Sequence, residues 1–218
     1  RLAAVRSLFR FLVLEGTLKD DPSVLVSPPS VRRPFPRILG RDEVDRLLEK
    51  GAQGETPKAL RDRALLELMY ATGMRAGEVV SLEVEDVDIE RGEVRCGGRR
   101  ERVISLPGRV VEALRRYLED GRPRLASSLT RTLFVNLRGR PLTRQGLWLV
   151  VRGCARRAGV KGEVTPHVLR HSCAVHRLAQ GERLEDVRRL LGHAHLSTTR
   201  IYAGIAEGLE QRADRPSS

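Results

Sequence analysis

The sequence predicts an α+β fold in which a mainly helical domain carries a small three-stranded antiparallel sheet. Three observations predict it. Apolar residues recur at helical spacing over most of the 218 residues. The period changes towards two only between Val84 and Leu106, as it does in strands. Five prolines lie between Asp20 and Gly40, where they interrupt the helical pattern and favour extended backbone. The length allows a real core and falls between the usual expectations for one domain and for two.

The first segment is predicted to be the end of a helical domain. Leu2, Val5 and Leu8 have the spacing of one helix face, and the prolines that follow form the best linker candidate. We therefore expect residues 1–30 to be the C-terminal remnant of that domain, a linker to reach about residue 37, and a second domain to cover residues 38–218. Because Arg1 already lies inside the apolar pattern, we expect the chain to be shortened at its N-terminus.

Two helices and the sheet are predicted next. The helices cover Asp42–Lys50 and Pro57–Thr72, and proline at the start with Gly73 at the end is typical of the longer one. Between residues 84 and 106, alternating apolar residues are separated by Arg91–Gly92 and Gly97–Gly98, which are turn signals. These features predict three short antiparallel strands.

The remainder is predicted to be mainly helical. A short extended piece, Leu133–Asn136, interrupts the series, and Ser197 is expected to be the N-cap of the last helix. The predicted helices are Val110–Leu118, Thr143–Ala158, Pro166–Ala179, Leu184–Leu191, and Ser197 to about Leu209.

The charge of the chain favours a polyanionic partner. Forty Lys plus Arg against 28 Asp plus Glu give a net charge of +12, and only four of the forty are lysine. If roughly eight phosphates were neutralised, log affinity would fall against log salt with a slope of about −7. Charge alone does not separate nucleic acid from an anionic membrane. No apolar run approaches the roughly 18 residues of a membrane span, and three widely spaced cysteines suit reduced thiols, so we expect a cytoplasmic protein.

The histidines are compatible with two kinds of site. All five lie between residues 167 and 195, and His167 and His171 are four apart on a predicted helix with Cys173 close by, as in zinc sites. The glutamate of an HExxH motif is absent, however, and Arg170 between the two ligands would repel a metal ion. Alternatively, His167 and Arg170 are three apart and therefore neighbours on a predicted helix, where both can point at one phosphate, which a guanidinium binds with two parallel hydrogen bonds. The mismatch to the zinc motif favours phosphate.

Three segments read together resemble a known family. They are YATGMRAGEVVSL (Tyr70–Leu82), TPHVLRHSCAVHRLAQG (Thr165–Gly181) and LLGHAHLSTTRIYAGI (Leu190–Ile205). Their residues, their order and the separations between them resemble those of the three motifs, or boxes, of the Xer and phage-integrase family of tyrosine recombinases. LFVNLRGRPLTRQGLW (Leu133–Trp148) is similar to the family segment that leads into a DNA-contacting helix. The resemblance implies the DNA breaking-rejoining fold, with a catalytic domain at residues 38–218 and the end of a core-binding domain at residues 1–30.

The resemblance also implies a role for each site residue. Fixed cationic donors stabilise the charge that develops on a phosphate during phosphodiester transfer, and a phenol must lose its proton as it attacks. Tyr202 matches the family's nucleophile, and His167 matches its proton acceptor. The phosphate-binding groups of the family are matched by Arg75, Arg170 and His193. Glu78 matches the acidic residue that would orient Arg75.

The implied reaction is site-specific recombination of double-stranded DNA. A 3′-phosphotyrosine forms, and the 5′-hydroxyl of another strand attacks it, so DNA is rejoined without ATP. No metal ion or cofactor is implied, because two guanidiniums and an imidazole supply the positive field. The resemblance further implies a homo- or hetero-tetramer on two DNA sites, in which the segment after Tyr202 docks on a neighbouring protomer. The expected DNA contacts are Arg100, Arg102, Arg140, Thr143, Arg144 and Gln145.

The predicted hairpin departs from the family pattern. The family places a lysine between the second and third strands, whereas RCGGRRERVISLP contains none, and Arg99 or failing that Arg100 takes the nearest position. Arginine is a poorer proton donor than lysine. Two alternatives therefore stay open: a DNA-binding relative with impaired cleavage and, less favoured, a metal-dependent hydrolase. The biological task, chromosome-dimer resolution or integration of an element, also stays open.

Overall fold

The structure is a computed structural model that describes residues 2–24, 26, 36–97, 101–126 and 130–213. The chain divides into two compact units, residues 1–35 and residues 36–218. The first unit contains α1 (Leu2–Leu14), as the apolar pattern predicts. Arg6 donates a hydrogen bond to the carbonyl of Val26 within this unit (2.6 Å). Four large apolar residues of α1 are exposed: Val5, Leu8, Phe11 and Leu14.

The second unit begins with three helices, α2 (Arg41–Lys50), α3 (Pro57–Thr72) and α4 (Ala76–Ser81). The sequence predicts α3 to the residue: Thr56 accepts a hydrogen bond from the first turn, and Gly73 ends the helix in the left-handed region (φ 59°). Residues on every side of α3 are buried, so it is the central helix of the unit. We did not predict α4, because six residues are too few to show a helical period.

The predicted three-stranded antiparallel sheet is confirmed. Its strands are β1 (Val87–Asp88), β2 (Glu93–Cys96) and β3 (Arg102–Ser105), in the order β1-β2-β3. Val94 pairs with Val87 on one side and with Ile104 on the other. Val94, Cys96 and Ile104 are buried while Val103 is exposed, so the period-two pattern turns one face of the sheet towards the core.

The rest of the second unit is mainly helical, as predicted. A 3-10 turn, Val84–Asp86, precedes β1. α5 (Gly108–Arg116) is followed by a π-helical turn, Tyr117–Gly121, and a 3-10 turn, Arg122–Arg124, neither of which we predicted. In the predicted extended piece, residues 133–136, Val135 forms an isolated β-bridge with Pro141. The remaining helices are α5 (Gly108–Arg116), α6 (Arg144–Arg157), α7 (Pro166–Ala179), α8 (Leu184–Leu191) and α9 (Leu196–Ala213).

The prediction of Ser197 as the N-cap of the last helix is wrong. α9 starts at Leu196, and the amide of Thr198 donates to the carbonyl of His195 (3.2 Å). The turn therefore begins about two residues earlier than a serine cap would place it. Ser197 lies within the first turn and is exposed.

Two apolar clusters hold the second unit together. The large cluster contains residues from each of the helices α2, α3, α4, α5, α6 and α7 and from the sheet. Within it, Tyr117 stacks on Phe134 with ring centroids 5.6 Å apart. The small one, which we call the α9 cluster, consists of Ala174, Val175, Val187, Leu191, Tyr202 and Ala206. It packs α9 against α7 and α8 and so fixes the position of Tyr202. Within the described ranges, no helix has the length and the apolar content that a membrane crossing requires.

Candidate active site

Four of the residues singled out from the sequence converge where α3, α7, α8 and α9 meet. Arg75 directly precedes α4, shortly after Gly73 ends α3. Arg170 lies in the middle of α7, and Tyr202 lies in α9. His193 follows Gly192, which ends α8 with a left-handed backbone (φ 62°). The ends of two helices thus bring the side chains together.

Arg170 is held by two backbone carbonyls. It is 5% exposed, and its guanidinium donates to the carbonyl of Gly73 (2.5 Å) and to that of Leu191 (2.8 Å). Burial and the neighbouring Arg75 lower the pKa of Arg170 to about 10, which leaves the group charged at neutral pH. A guanidinium fixed in this way is already oriented for an anion before the anion arrives.

Arg75 is more exposed and is oriented by Glu78. Its Nη1 lies 3.2 Å from Oε1 of Glu78, its Nη2 donates to the carbonyl of Gly192 (3.3 Å), and its side chain is 47% exposed. The backbone amide of Arg75 donates to the same carboxylate (2.7 Å). Glu78 therefore holds both the backbone and the side chain of Arg75.

Arg102 occupies the other side of Glu78. Its two terminal nitrogens lie 3.2 and 3.1 Å from the two carboxylate oxygens of Glu78, and its Nε donates to the carbonyl of Leu190 (2.8 Å). Burial raises the pKa of Glu78, but hydrogen bonds from Arg102 and from the backbone of Arg75 outweigh burial and lower it overall. We predicted Arg102 as a DNA contact, whereas here its guanidinium lies in an intramolecular ion pair.

His193 is buried beside the arginines. Its Nδ1 lies 2.9 Å from the hydroxyl oxygen of Thr199, which is itself fully buried. Burial, followed by the charges of Arg170 and Arg75, lowers the pKa of His193 to about 4, so the ring is neutral at neutral pH. If the hydroxyl donates to Nδ1, the ring proton lies on Nε2, where it can be donated to a ligand.

Tyr202 is hydrogen-bonded to His171. The phenol oxygen lies 2.7 Å from Nδ1 of His171, and Tyr202 is 6% exposed. Its ring is nearly parallel to that of His193, with centroids 6.2 Å apart and 20° between the planes. Burial raises the pKa of Tyr202, and the charges of Arg170 and Arg75 oppose that rise. The phenol therefore lies in the field of both guanidiniums.

His167 lies at the edge of this group. It is exposed on α7, and its ring centroid is 6.4 Å from that of His171. Among the described residues, the phenol of Tyr202 is hydrogen-bonded to His171 and not to His167. His167 instead lines a groove of about 580 Å³ that Arg75, Gly77 and Arg144 also line.

The other predicted DNA contacts lie outside the convergent group. A Cβ at Gly77 would lie 3.2 Å from the guanidinium of Arg144, so the glycine allows Arg144 to reach the groove. The hydroxyl of Thr143 accepts from the amide of Gly146 (3.0 Å) and caps α6. Arg140 and Gln145 are exposed. Arg99 and Arg100 lie outside the described residues.

The histidines do not form a metal centre with neighbouring ligands. Across the described part of the chain, no three His, Cys, Asp or Glu side chains group closely enough to hold an ion. Cys173, the third member of the zinc interpretation, is buried with its thiol 4.0 Å from the carbonyl of Ala71. His171 is bonded to Tyr202 instead. The donor set therefore does not fit zinc.

Three contacts of this site escaped the sequence interpretation. His171 directly follows Arg170, yet its spacing to His167 suggested a shared metal ion. Thr199 lies three residues before Tyr202, where only the tyrosine drew attention. The pairing of Arg102 with Glu78 joins residues 24 apart in the chain. The sequence contained one signal for His171, Thr199 and Arg102: each lies within a segment quoted for its resemblance to the family or for its departure from it.

Comparisons with known proteins show what this chain is similar to. The family model described as "Phage integrase family" matches residues 37–208. The chain is 48% identical over 210 residues to tyrosine recombinase XerC of Roseiflexus castenholzii, an alignment that covers 94% of this chain and 67% of the relative. It is 39% identical to tyrosine recombinase XerD of Listeria monocytogenes, covering 94% of this chain and 70% of the relative.

Solved structures give the same result. XerA recombinase is similar with a TM-score of 0.73 and 27% identity, over 100% of this chain and 76% of that one. XerH recombinase bound to a palindromic difH substrate, in a post-cleavage complex, gives a TM-score of 0.74 and 29% identity, over 85% of this chain and 55% of that one.

Proposed function

Since the chain belongs to the phage integrase family and its curated relatives are tyrosine recombinases, we propose that it recombines DNA at specific sites through a 3′-phosphotyrosine, without a metal ion. One observation carries the proposal: the phenol of Tyr202 lies in the field of Arg170 and Arg75, with His193 stacked beside it. Two guanidiniums and a neutral imidazole around one phenol are suited to a phosphodiester, because they supply fixed donors for its non-bridging oxygens.

The phosphate would be held by Arg75, Arg170 and His193. Two N–H groups of Arg170 donate to carbonyls, which fixes the plane of its guanidinium and directs its charge towards the phenol. Arg75 is half-exposed and faces the groove through which a DNA strand can enter. Glu78 acts through Arg75 by fixing its backbone and side chain. His193 adds a hydrogen bond from Nε2.

Tyr202 would be the nucleophile. Its oxygen forms a bond to phosphorus, the bond to the 5′-oxygen breaks, and the 5′-oxygen takes up a proton. The product retains the energy of the phosphodiester, so the 5′-hydroxyl of another strand attacks phosphorus and releases the phenol. Exchange of strands between two sites follows when the attacking hydroxyl belongs to the partner duplex.

DNA binding would depend on the groove and on the general positive charge. His167 and Arg144 line the groove beside Arg75, and we assign them to the strand that enters it. Arg140, Thr143 and Gln145 remain proposed contacts of the segment that leads into α6. Phosphate contacts set affinity and its salt dependence, whereas contacts to base edges set sequence preference.

The assembly would be a homo- or hetero-tetramer on two DNA sites. Named relatives that have been solved with DNA include XerH on difH, which supports a DNA partner. Four active subunits supply the four cleavages that exchange of two duplexes needs. Because DNA is the proposed substrate, the proposed location is the cytoplasm.

Covalent capture of DNA tests the proposal. Protein is incubated with a library of nicked duplexes, in which cleavage releases the short fragment that carries the new 5′-hydroxyl. It is expected to yield an adduct stable in denaturant. Sequencing the attached DNA identifies the site. The adduct should be absent in Tyr202→Phe and retained in Tyr70→Phe. Tyr70 is the matched control because its hydroxyl is also hydrogen-bonded to a histidine, at 2.8 Å from Nδ1 of His176. Absence of any adduct from wild-type protein that binds DNA tightly would contradict strand cleavage.

A further inference from the structure

The contact between Tyr202 and His171 suggests where the proton of the nucleophile goes. The phenol oxygen and Nδ1 of His171 are 2.7 Å apart, and the two ring centroids are 5.4 Å apart. We infer that His171 is a catalytic residue that accepts the phenol proton as Tyr202 attacks the phosphate. This inference rests on the proposed function and assigns one further step of it.

His171 is in a state that can accept a proton. The charged or titratable groups that face it are His167 and Arg170 from its own helix, Tyr202 from α9, and His193 from the turn between α8 and α9. Burial, followed by the influence of His167 and Arg170, lowers the pKa of His171. The ring is therefore neutral at neutral pH. A neutral ring that receives the phenol O–H at Nδ1 carries its own proton on Nε2.

Tyr202 needs such an acceptor. Burial raises the pKa of its phenol, so the phenolate is scarce at neutral pH. The groups that act on the phenol are the charges of Arg170 and Arg75, which favour the phenolate, and the thiol of Cys173, which opposes it. The arginines stabilise the negative oxygen once it forms, but they hold no lone pair that could take the proton. A base in direct contact completes the step.

His167, the acceptor that the family resemblance implies, is placed differently. It is exposed at the groove beside Arg75, and its ring centroid is 6.4 Å from that of His171. From the groove it can contact the phosphate or the 5′-oxygen. The two histidines thus divide the work, one at the nucleophile and one at the DNA.

The step balances in protons and electrons. The phenol proton moves to Nδ1 of His171, and a lone pair of the phenol oxygen forms the bond to phosphorus. The bond from phosphorus to the 5′-oxygen breaks, its electron pair stays on that oxygen, and water supplies the proton that the oxygen takes up. When a 5′-hydroxyl later attacks, its oxygen bonds to phosphorus and its proton passes to water, while the phenolate leaves and recovers its own proton from His171.

A pH profile of cleavage separates this role from packing. His171→Gln keeps a hydrogen-bond acceptor near the phenol but removes the base. His176→Gln is the matched control, because His176 is buried on the same helix and makes the equivalent bond to Tyr70 (2.8 Å). The substrate is a nicked duplex that carries the sequence recovered from the covalent adduct. The rate of adduct formation is measured from pH 5 to pH 10.

The wild-type rate is expected to rise as His171 loses its proton and then to level off. His171→Gln should be about 100-fold slower at pH 7, and its rate should rise about tenfold per pH unit towards the pKa of Tyr202, so the difference narrows at high pH. His176→Gln should keep the wild-type profile. A His171→Gln rate that is reduced equally at every pH would overturn the inference, because loss of packing acts equally at every pH.

A second measurement does not depend on cleavage. The nitrogen chemical shifts of His171, recorded by NMR on protein without DNA, report which ring nitrogen carries the proton. Protonation at Nε2 agrees with the inference even if no adduct is formed, in which case the proposed function fails and the acceptor geometry stands. Protonation at Nδ1 would mean that His171 donates to the phenol oxygen, and it would overturn the inference whatever the cleavage assay shows.

Discussion

The hydroxyl oxygen of Thr199 lies 2.9 Å from Nδ1 of His193, and both side chains are buried. This pair joins the first turns of α9 to the turn after α8. If the hydroxyl donates to Nδ1, the pair also keeps the ring proton of His193 on Nε2. The consequence can be measured.

Thr199→Val is expected to slow cleavage about tenfold, which corresponds to about 1.4 kcal/mol of transition-state stabilisation. Without the hydroxyl, the proton of His193 is no longer restricted to Nε2, so the ring less often donates to the phosphate. DNA affinity should be nearly unchanged. Thr198→Val is the control, since Thr198 is exposed in the same turn. Equal rates for the two variants would contradict the role of Thr199.

Arg102→Ala is expected to lower the free energy of unfolding by about 3 kcal/mol at pH 7, because it leaves the half-buried carboxylate of Glu78 without its bidentate partner. Arg95→Ala is the control on β2, where the side chain is 58% exposed and its nearest carboxylate oxygen is 3.9 Å away. Urea unfolding of both variants gives the comparison.

The effect of Arg102→Ala should also depend on pH. The folded-state pKa of Glu78 is lowered, so the ion pair contributes its stability above the unfolded-state pKa of the carboxyl and loses it as the pH falls through the folded-state pKa. The difference in unfolding free energy between wild type and variant should therefore shrink towards low pH. A constant difference would mean that Arg102 stabilises the fold by packing alone.

Gly73→Ala is expected to destabilise the protein by about 3 kcal/mol and to slow cleavage. A Cβ there would lie 2.6 Å from Cδ2 of the fully buried Leu191 and 3.3 Å from the sulfur of Cys173. Gly159 has a similar left-handed backbone (φ 66°), and a Cβ built there meets no atom within 4 Å. Gly159→Ala therefore measures backbone strain alone, about 1 kcal/mol. Thermal unfolding of both gives the packing contribution by difference, and similar values would show that the contact with Leu191 is not tight.

Arg144→Ala is expected to weaken DNA binding at fixed salt and to reduce the slope of log affinity against log salt by about one. Arg144 lies at the groove beside Gly77, where a phosphate of the entering strand can reach it. Arg91→Ala, on the exposed turn between β1 and β2, is the control. An unchanged slope for Arg144→Ala would exclude a phosphate contact at this position.

Much of the fold could be predicted from local patterns. α3 has its capping threonine, its first-turn proline and its terminal glycine in the sequence, and the sheet follows from two turn signals and a change of period. The π-helical and 3-10 turns at residues 117–124 were not predictable, because they depend on how Tyr117 packs on Phe134 and bonds to the carbonyl of Leu133. Such contacts join segments that are distant in the chain.

The candidate site divides in the same way. The quoted segments indicated Arg75, Arg170, His193 and Tyr202, and the structure brings these four together. The partner of the phenol was not predictable, because the bond from Tyr202 to His171 spans 31 residues and depends on how α9 packs on α7. The spacing of four residues between His167 and His171 indicates only that they share a helix face, and it cannot tell a metal pair from two bases with separate partners.

Tyr202 is also a member of the α9 cluster, where it packs with Val175, Val187 and Leu191. The reactive group and the docking of the C-terminal helix therefore depend on the same side chain. A movement of the phenol oxygen that also moved α9 relative to α7 and α8 would disrupt part of this apolar packing, so the packing of the helix would contribute to the free-energy barrier of strand cleavage. Selection that tightens the packing of the helix would act on the speed of the chemistry, and selection for speed would act on the packing.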